Sequence, residues 1–165
     1  ILCNNKKLAI KLKMMRNYGA IKKNHNKIGG QNSRLDEFHA SFLNLKLEYL
    51  DKINNHKIML AKIYDKKLNN NFIKPNIKNN EKHVYHIYNI RHKSRDKLRN
   101  YLKKNNILTE IHYPIPPYKQ KVFKNVFKQR FPISDEIHSS TLSLPISYSH
   151  SKEDVLKVIK ILNNF

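Results

Sequence analysis

From Leu35 to Leu68 the apolar residues step by three and four: Leu35, Phe38, Phe42, Leu45, Tyr49 and Ile53, then Leu60, Tyr64 and Leu68. That spacing lays one stripe along a helix. It predicts a single long helix, bent near Asn54-Asn55. In a chain of 165 residues so long a helix is either a spine joining lobes or a surface for a partner. A core helix with one wet face accounts for the same residues.

The flanking segments read more shortly. Leu8, Leu12 and Met15 make Lys6 to Arg16 an amphipathic helix capped by Asn4-Asn5, with Gly19 suited to a left-handed end. Asn69 to Lys82, with Pro75, is a polar connector. Val84 to Ile90 alternates as a strand, Ser94 to Asn105 is a helix with Leu98, Tyr101 and Leu102 inward, and Leu108 to His112 is a second strand ended by prolines. A short aromatic helix is expected around Val122 to Phe127 and another near Ser134 to Ser140; Leu142 to Leu144 reads as a buried strand. Ser151 and Asp154 form a capping-box pattern before the stripe Val155, Val158, Ile159 and Leu162. Strand alternating with helix behind a long helix defines an α/β fold.

Composition limits the function classes. A 39% hydrophobic content supports a packed core, and a domain near this size hides roughly 70% of its unfolded surface. No apolar run approaches the ~20 residues of a membrane helix, and no secretory leader pattern is visible. The opening Ile1-Leu2-Cys3 reads as a strand interrupted by the chain start. A single cysteine, Cys3, excludes a disulfide framework and fits a reducing cytoplasm. The net charge of +21 raises nucleic-acid binding, but the lysines are spread evenly among Asn and Ile, and no nucleic-acid-binding motif accompanies them. No His/Cys/Asp/Glu group has metal spacing, and no catalytic triad or carboxylate pair is evident.

Two runs carry chemistry. Gly29-Gly30 precedes Asn32-Ser33-Arg34 and a helix, where free N–H groups and an Asn amide suit a phosphate; equally, Asn32 or Ser33 is a plain N-cap. His112-Tyr113-Pro114 is a strand end entering a proline turn, and its imidazole can donate to a hydroxyl or phosphate. Lys119 offers a point charge, or is one more solvated lysine. His86 reads as a packed core histidine.

Taken in order, RNYG at Arg16, GGQNSRLDE at Gly29, HVYHIYNIR at His83 with RDKL, TEIHYPIPPYKQ at Thr109 and LSLPISYS at Leu142 resemble the C-terminal part of the DegT/DnrJ/EryC1/StrS aminotransferases over nearly the whole chain. The wording is most similar to the branch acting on dTDP-linked 3-keto-6-deoxyhexoses. The resemblance implies pyridoxal 5'-phosphate as cofactor, a nucleotide-linked keto-sugar as substrate, an amino donor such as glutamate, a homodimer, and a role in surface-glycan biosynthesis. It implies that Asn32 reaches the cofactor phosphate of the neighbouring subunit, with Arg34 and Asp36 tying the loop to the long helix. His112, Tyr113 and Lys119 would meet the sugar or its pyrophosphate, and Tyr18 the nucleotide-sugar from the adjacent subunit. The fold implied is the end of an aminotransferase fold type I chain. It divides into residues 1–32 as a remnant of the large domain, 33–70 as a linking helix, and 71–165 as a small α/β domain with a short, mostly antiparallel sheet. No catalytic residue is matched: the Schiff-base lysine motif is absent from this chain, which alone is expected to be inactive. The alternative is an inactive remnant serving as a dimerisation or basic nucleic-acid-binding module.

Overall fold

The computed structural model describes every residue except Asn24, Asn79, Lys124, Asn125 and Lys128. The chain divides into two compact units, Ile1–Tyr49 and Leu50–Phe165.

In the first unit, α1 (Lys6–Met15) is capped as its sequence asks: the Asn5 side chain accepts the Leu8 N–H at 3.0 Å. The chain then reverses through two left-handed residues, Tyr18 (φ 56°) and Gly19 (φ 75°), and the Gly19 N–H closes on Met14 O at 2.8 Å. A short antiparallel pair follows, β1 (Ala20–Lys22) with β2 (His25–Asn26). The returning strand of chain crosses so close that a Cβ on Gly19 would lie 1.7 Å from Ile28 O, and one on Gly30 would lie 2.2 Å from Gly19 N. Gly29, by contrast, faces open space. Gln31 and Ser33 then hydrogen-bond Met15 O and Arg16 O, each at 2.9 Å, and Asn32 bridges to Asn17. α2 (Glu37–Glu48) begins with Asp36 as its cap residue, not Asn32 or Ser33 as the simple capping reading allowed. None of its residues is buried.

The second unit holds the core. α3 (Leu50–Lys67) supplies Leu60, Ala61 and Tyr64, each fully buried, and packs on α6 (Lys152–Asn163), whose Val155, Val158, Ile159 and Leu162 are buried. Between them in sequence come β3 (Tyr88–Arg91), α4 (Arg95–Lys104), α5 (Pro132–Ser140) and β4 (Thr141–Leu144). β3 and β4 pair antiparallel, Tyr88 opposite Leu144 and Asn89 opposite Ser143. Glu110 adds a bridge on the other edge of β4, with the Ser143 N–H donating to Glu110 O at 2.8 Å. Every residue of β4 is buried, because both of its edges and both of its faces are covered. α6 carries the expected capping box: Ser151 Oγ accepts the Asp154 N–H at 3.1 Å, and Asp154 Oδ2 accepts the Ser151 N–H at 2.9 Å. Ser151→Ala should therefore lower stability by about 1 kcal/mol, read as a lower urea midpoint at unchanged m-value.

Several expectations need correction. The stripe from Leu35 to Leu68 does not form one helix: α2 ends at Tyr49 (φ −97°, ψ −3°), whose N–H turns back to Lys46 O, and α3 starts afresh at Leu50. Asn54 and Asn55 lie within α3 without a break; weak helix formers cost only ~0.7 kcal/mol each at most, less than the packing of the residues beyond them. The strand expected from Val84 shrinks to Tyr88–Arg91 because Tyr85 is left-handed (φ 48°), which interrupts extended backbone. That turn leaves His86 exposed rather than in the core. Leu108 to His112 pairs only at Glu110, since Leu108 is exposed and the prolines follow at once. Ile1 to Cys3 form no strand. In the expected aromatic helix only a 3-10 turn at Lys121–Phe123 is described; Lys124 and Asn125 lie outside the described residues, as does Asn79 in the polar connector. Among the described residues no helix is long and apolar enough to cross a membrane.

Candidate functional site

Each unit carries its own group of the residues singled out in the sequence. In the first unit the reversal at Gly19 and the close return at Gly30 bring Tyr18, Asn32 and Arg34 together. Arg34 Nε donates to Asn32 Oδ1 at 2.9 Å, and the guanidinium carbon stands 6.0 Å from the centroid of the Tyr18 ring. With Oδ1 engaged, the Asn32 amide has only N–H groups to offer, and these have no partner among the described residues. Asn32, Arg34, Leu35, Asp36 and Glu37 line a concavity of about 460 Å³. The start of α2 also has free N–H groups, because the Asp36 side chain makes no capping bond and instead lies 3.5 Å from His39 Nδ1. An amide donor, a guanidinium and a helix N-terminus suit a phosphate. The carboxylates of Asp36 and Glu37 oppose one, so the favourable edge is that of Asn32 and Arg34.

In the second unit His112 and Tyr113 begin the proline loop. The His112 ring is half-buried, with Nδ1 3.0 Å from Ser143 Oγ. It lines a cavity of about 250 Å³ with His86, Thr109, Glu110, Ser143 and Pro145 among others. Glu110 does not hold the ring; its carboxylate accepts the Ile111 N–H at 2.9 Å. Tyr113 projects its ring into solvent, 66% exposed, while its carbonyl is held by His138 Nδ1 at 2.6 Å. Lys119 lines a different cavity, with Arg95, Pro114, Pro116, Asp135 and His138. Its ammonium is paired with the Asp135 carboxylate, which also accepts from Tyr118 Oη. The Lys119–Asp135 hydrogen bond raises the lysine above its ordinary pKa and holds the Asp135 carboxyl below its own. Lys119 is thus neither a free charge nor a plainly solvated lysine.

Sequence reasoning missed Asn89, Asp135 and Ser143. The signal for Ser143 was present: a serine inside the otherwise apolar buried run Leu142 to Leu144 must find a partner. Among the described residues no cluster of three His, Cys, Asp or Glu could hold a metal ion.

The architecture is that of fold type I aminotransferase chains. It superposes on DesV of Streptomyces venezuelae with a TM-score of 0.94 at 30% identity, covering 99% of this chain and 45% of that one. A Brucella abortus aminotransferase of the same class gives 0.92 at 26% identity, covering 99% and 44%. Residues 1–163 match the DegT/DnrJ/EryC1/StrS aminotransferase family, and the chain belongs to that family. Among curated relatives, the dTDP-3-amino-3,6-dideoxy-alpha-D-galactopyranose transaminase of Aneurinibacillus thermoaerophilus is 43% identical over all of this chain and 46% of its own length. The dTDP-3-amino-3,4,6-trideoxy-alpha-D-glucose transaminase of S. venezuelae is 31% identical over 96% and 43%. The chain therefore spans less than half the length of these relatives. The family depends on pyridoxal phosphate and acts on nucleotide sugars; one neighbour, NtdA of Bacillus subtilis, at 25% identity and a TM-score of 0.88, was solved with bound PMP.

Proposed function

We propose that this chain is the C-terminal portion of a cytoplasmic, homodimeric sugar aminotransferase that passes an amino group, from glutamate, to a dTDP-linked 3-keto-6-deoxyhexose for surface-glycan synthesis. The observation that carries this reading is the 43% identity, over the full chain, to a transaminase of a dTDP-linked 3-amino-3,6-dideoxyhexose. Pyridoxal phosphate, when bound, supplies the electron sink for the amino transfer. The residues here bind and orient. Asn32, its amide hydrogens freed by Arg34, donates to the cofactor phosphate of the neighbouring subunit, and Tyr18 beside it meets the nucleotide-sugar. His112 donates to the substrate, and Tyr113 offers an exposed aromatic face for a sugar or base. Lys119 reaches a pyrophosphate only by giving up Asp135.

No lysine of this chain lies in the family's Schiff-base motif, so the chain alone should show no transaminase turnover. When it is combined with the remaining part of a relative, Asn32→Ala should weaken pyridoxal phosphate about tenfold, the equivalent of one hydrogen bond to a charged group. Equal cofactor affinity in the variant, titrated by cofactor absorbance, would remove Asn32 from the site.

A further inference from the structure

The His112 ring stands at the end of a polar chain running through the β3–β4 sheet. Asn89 and Ser143 are directly opposite each other, and Thr141 lies two residues along on the same face of β4. Thr141 Oγ1 donates to Asn89 Oδ1, Asn89 Nδ2 donates to Ser143 Oγ at 3.2 Å, and Ser143 Oγ lies 3.0 Å from His112 Nδ1. Thr141 is 2% and Ser143 5% exposed, in a sheet otherwise walled by Leu142, Leu144 and Ile90.

Burial makes the direction of this chain decidable. A buried hydroxyl hydrogen without an acceptor costs more than a hydrogen bond returns. Asn89 Oδ1 is the one acceptor recorded for the Thr141 hydroxyl among the described residues. With that oxygen on Thr141, the amide must turn its N–H towards Ser143. Ser143 Oγ then accepts from Asn89, and its own hydrogen has His112 Nδ1 as its acceptor. In the opposite sense, with the imidazole donating into the sheet, either Ser143 Oγ accepts from both Asn89 and His112 and its own hydrogen is stranded, or the amide flips and the Thr141 hydrogen is stranded.

We infer that Thr141, Asn89 and Ser143 form a one-way hydrogen-bond chain that holds neutral His112 with its proton on Nε2, so that His112 presents a donor and the substrate atom it meets is an accepting oxygen. The proton arrangement stands on this chain's geometry alone; the statement about substrate rests on the aminotransferase reading. Asn89, Thr141 and Ser143 are positioning residues, acting on substrate only through His112. The accepting oxygen belongs to the pyrophosphate or to the sugar, and both share the chemistry.

The test is the tautomer itself, read from the imidazole nitrogen resonances of the full, nitrogen-15-labelled chain at about pH 9, where an ordinary imidazole is neutral. The His112 signals are assigned by their loss in His112→Gln. The unaltered chain should show Nε2 protonated and Nδ1 unprotonated, with Nδ1 shifted by accepting a hydrogen bond. Asn89→Asp should reverse the arrangement: the new carboxylate accepts from both hydroxyls, Ser143 Oγ becomes the acceptor, and the proton moves to Nδ1. Ser143→Ala, which removes one oxygen and leaves the backbone pairing intact, should erase the hydrogen-bond shift of Nδ1 even if Asn89→Asp folds poorly. A protonated Nδ1 in the unaltered chain, or the same tautomer in a folded Asn89→Asp variant, overturns the inference. In the enzyme completed by a relative's remaining part, Asn89→Asp should weaken nucleotide-sugar binding about tenfold with cofactor affinity unchanged. If the tautomer reverses but sugar binding does not change, the substrate statement fails and the proton arrangement stands.

Discussion

Tyr64→Ala is expected to destabilise the Leu50–Phe165 unit by about 3–5 kcal/mol. The side chain is fully buried, its ring stacks on Tyr88 at a centroid distance of 4.7 Å, and its hydroxyl donates to Pro145 O at 2.9 Å. Truncation opens a ring-sized hole where α3 meets the sheet and strands the Pro145 carbonyl. Tyr64→Phe keeps the ring and should cost only about 1 kcal/mol. The same site governs the alkaline limit. Burial first, then the Asp154 charge, push the Tyr64 hydroxyl well above the ordinary tyrosine value; burial and the hydrogen bond to Asp65 do so for Tyr88. In the unfolded chain both hydroxyls ionise near the ordinary tyrosine value, about pH 10. Their contribution is therefore fully present below that pH and is lost as the pH rises through the folded-state values. Tyrosinate absorbance should show these two rings titrating only with unfolding, and urea midpoints should fall steeply above about pH 10.

Gly19→Ala has the second large effect. A left-handed conformation costs a non-glycine residue about 1–2 kcal/mol, and the added Cβ would also lie 1.7 Å from the Ile28 carbonyl oxygen. Backbone on one side or the other must move, and with it the return through Gly30 that carries Asn32. Protease sensitivity between Ala20 and Gln31 should rise by an order of magnitude or more, matching about 2 kcal/mol of local opening. Gly29→Ala is the internal control, since its Cβ would meet nothing within 4 Å and its effect should stay within about 0.5 kcal/mol. Equal effects at the two glycines would show that the close approach at Gly19 does not shape this loop.

What was legible in the sequence follows the physics of each signal. Helix ends with local chemistry were read correctly: the Asn5 cap, the Gly19 reversal and the Ser151–Asp154 capping box each depend on residues within a few positions. Periodicity identified the buried stripes of α4 and α6, but it passed through Tyr49 without registering that one helix ends and another begins. A stripe at helical spacing is blind to a single-residue break, because the three- and four-residue steps continue across it in the sequence. The strands were overextended because alternation at Val84 to Tyr88 hides a left-handed Tyr85, which no propensity for a tyrosine announces. At the candidate site, the motif residues on loops stand out in the sequence one by one, whereas the side chains they contact do not. Asp135 and Ser143 come from α5 and β4, far along the chain from Lys119 and His112, and only the folded unit brings them into contact. Asn89 sat in plain view as one polar residue in a strand.

The most direct test of the proposed function is complementation. This chain would be mixed with the part of a related dTDP-sugar transaminase that it does not span, and amino transfer from glutamate to a dTDP-linked 3-keto-6-deoxyhexose would be followed by product formation. The account predicts turnover by the mixture, none by either part alone, and a marked loss with Asn32→Ala or His112→Gln. Turnover by this chain alone, or a stably associated and cofactor-loaded mixture that transfers no amino group, would contradict it.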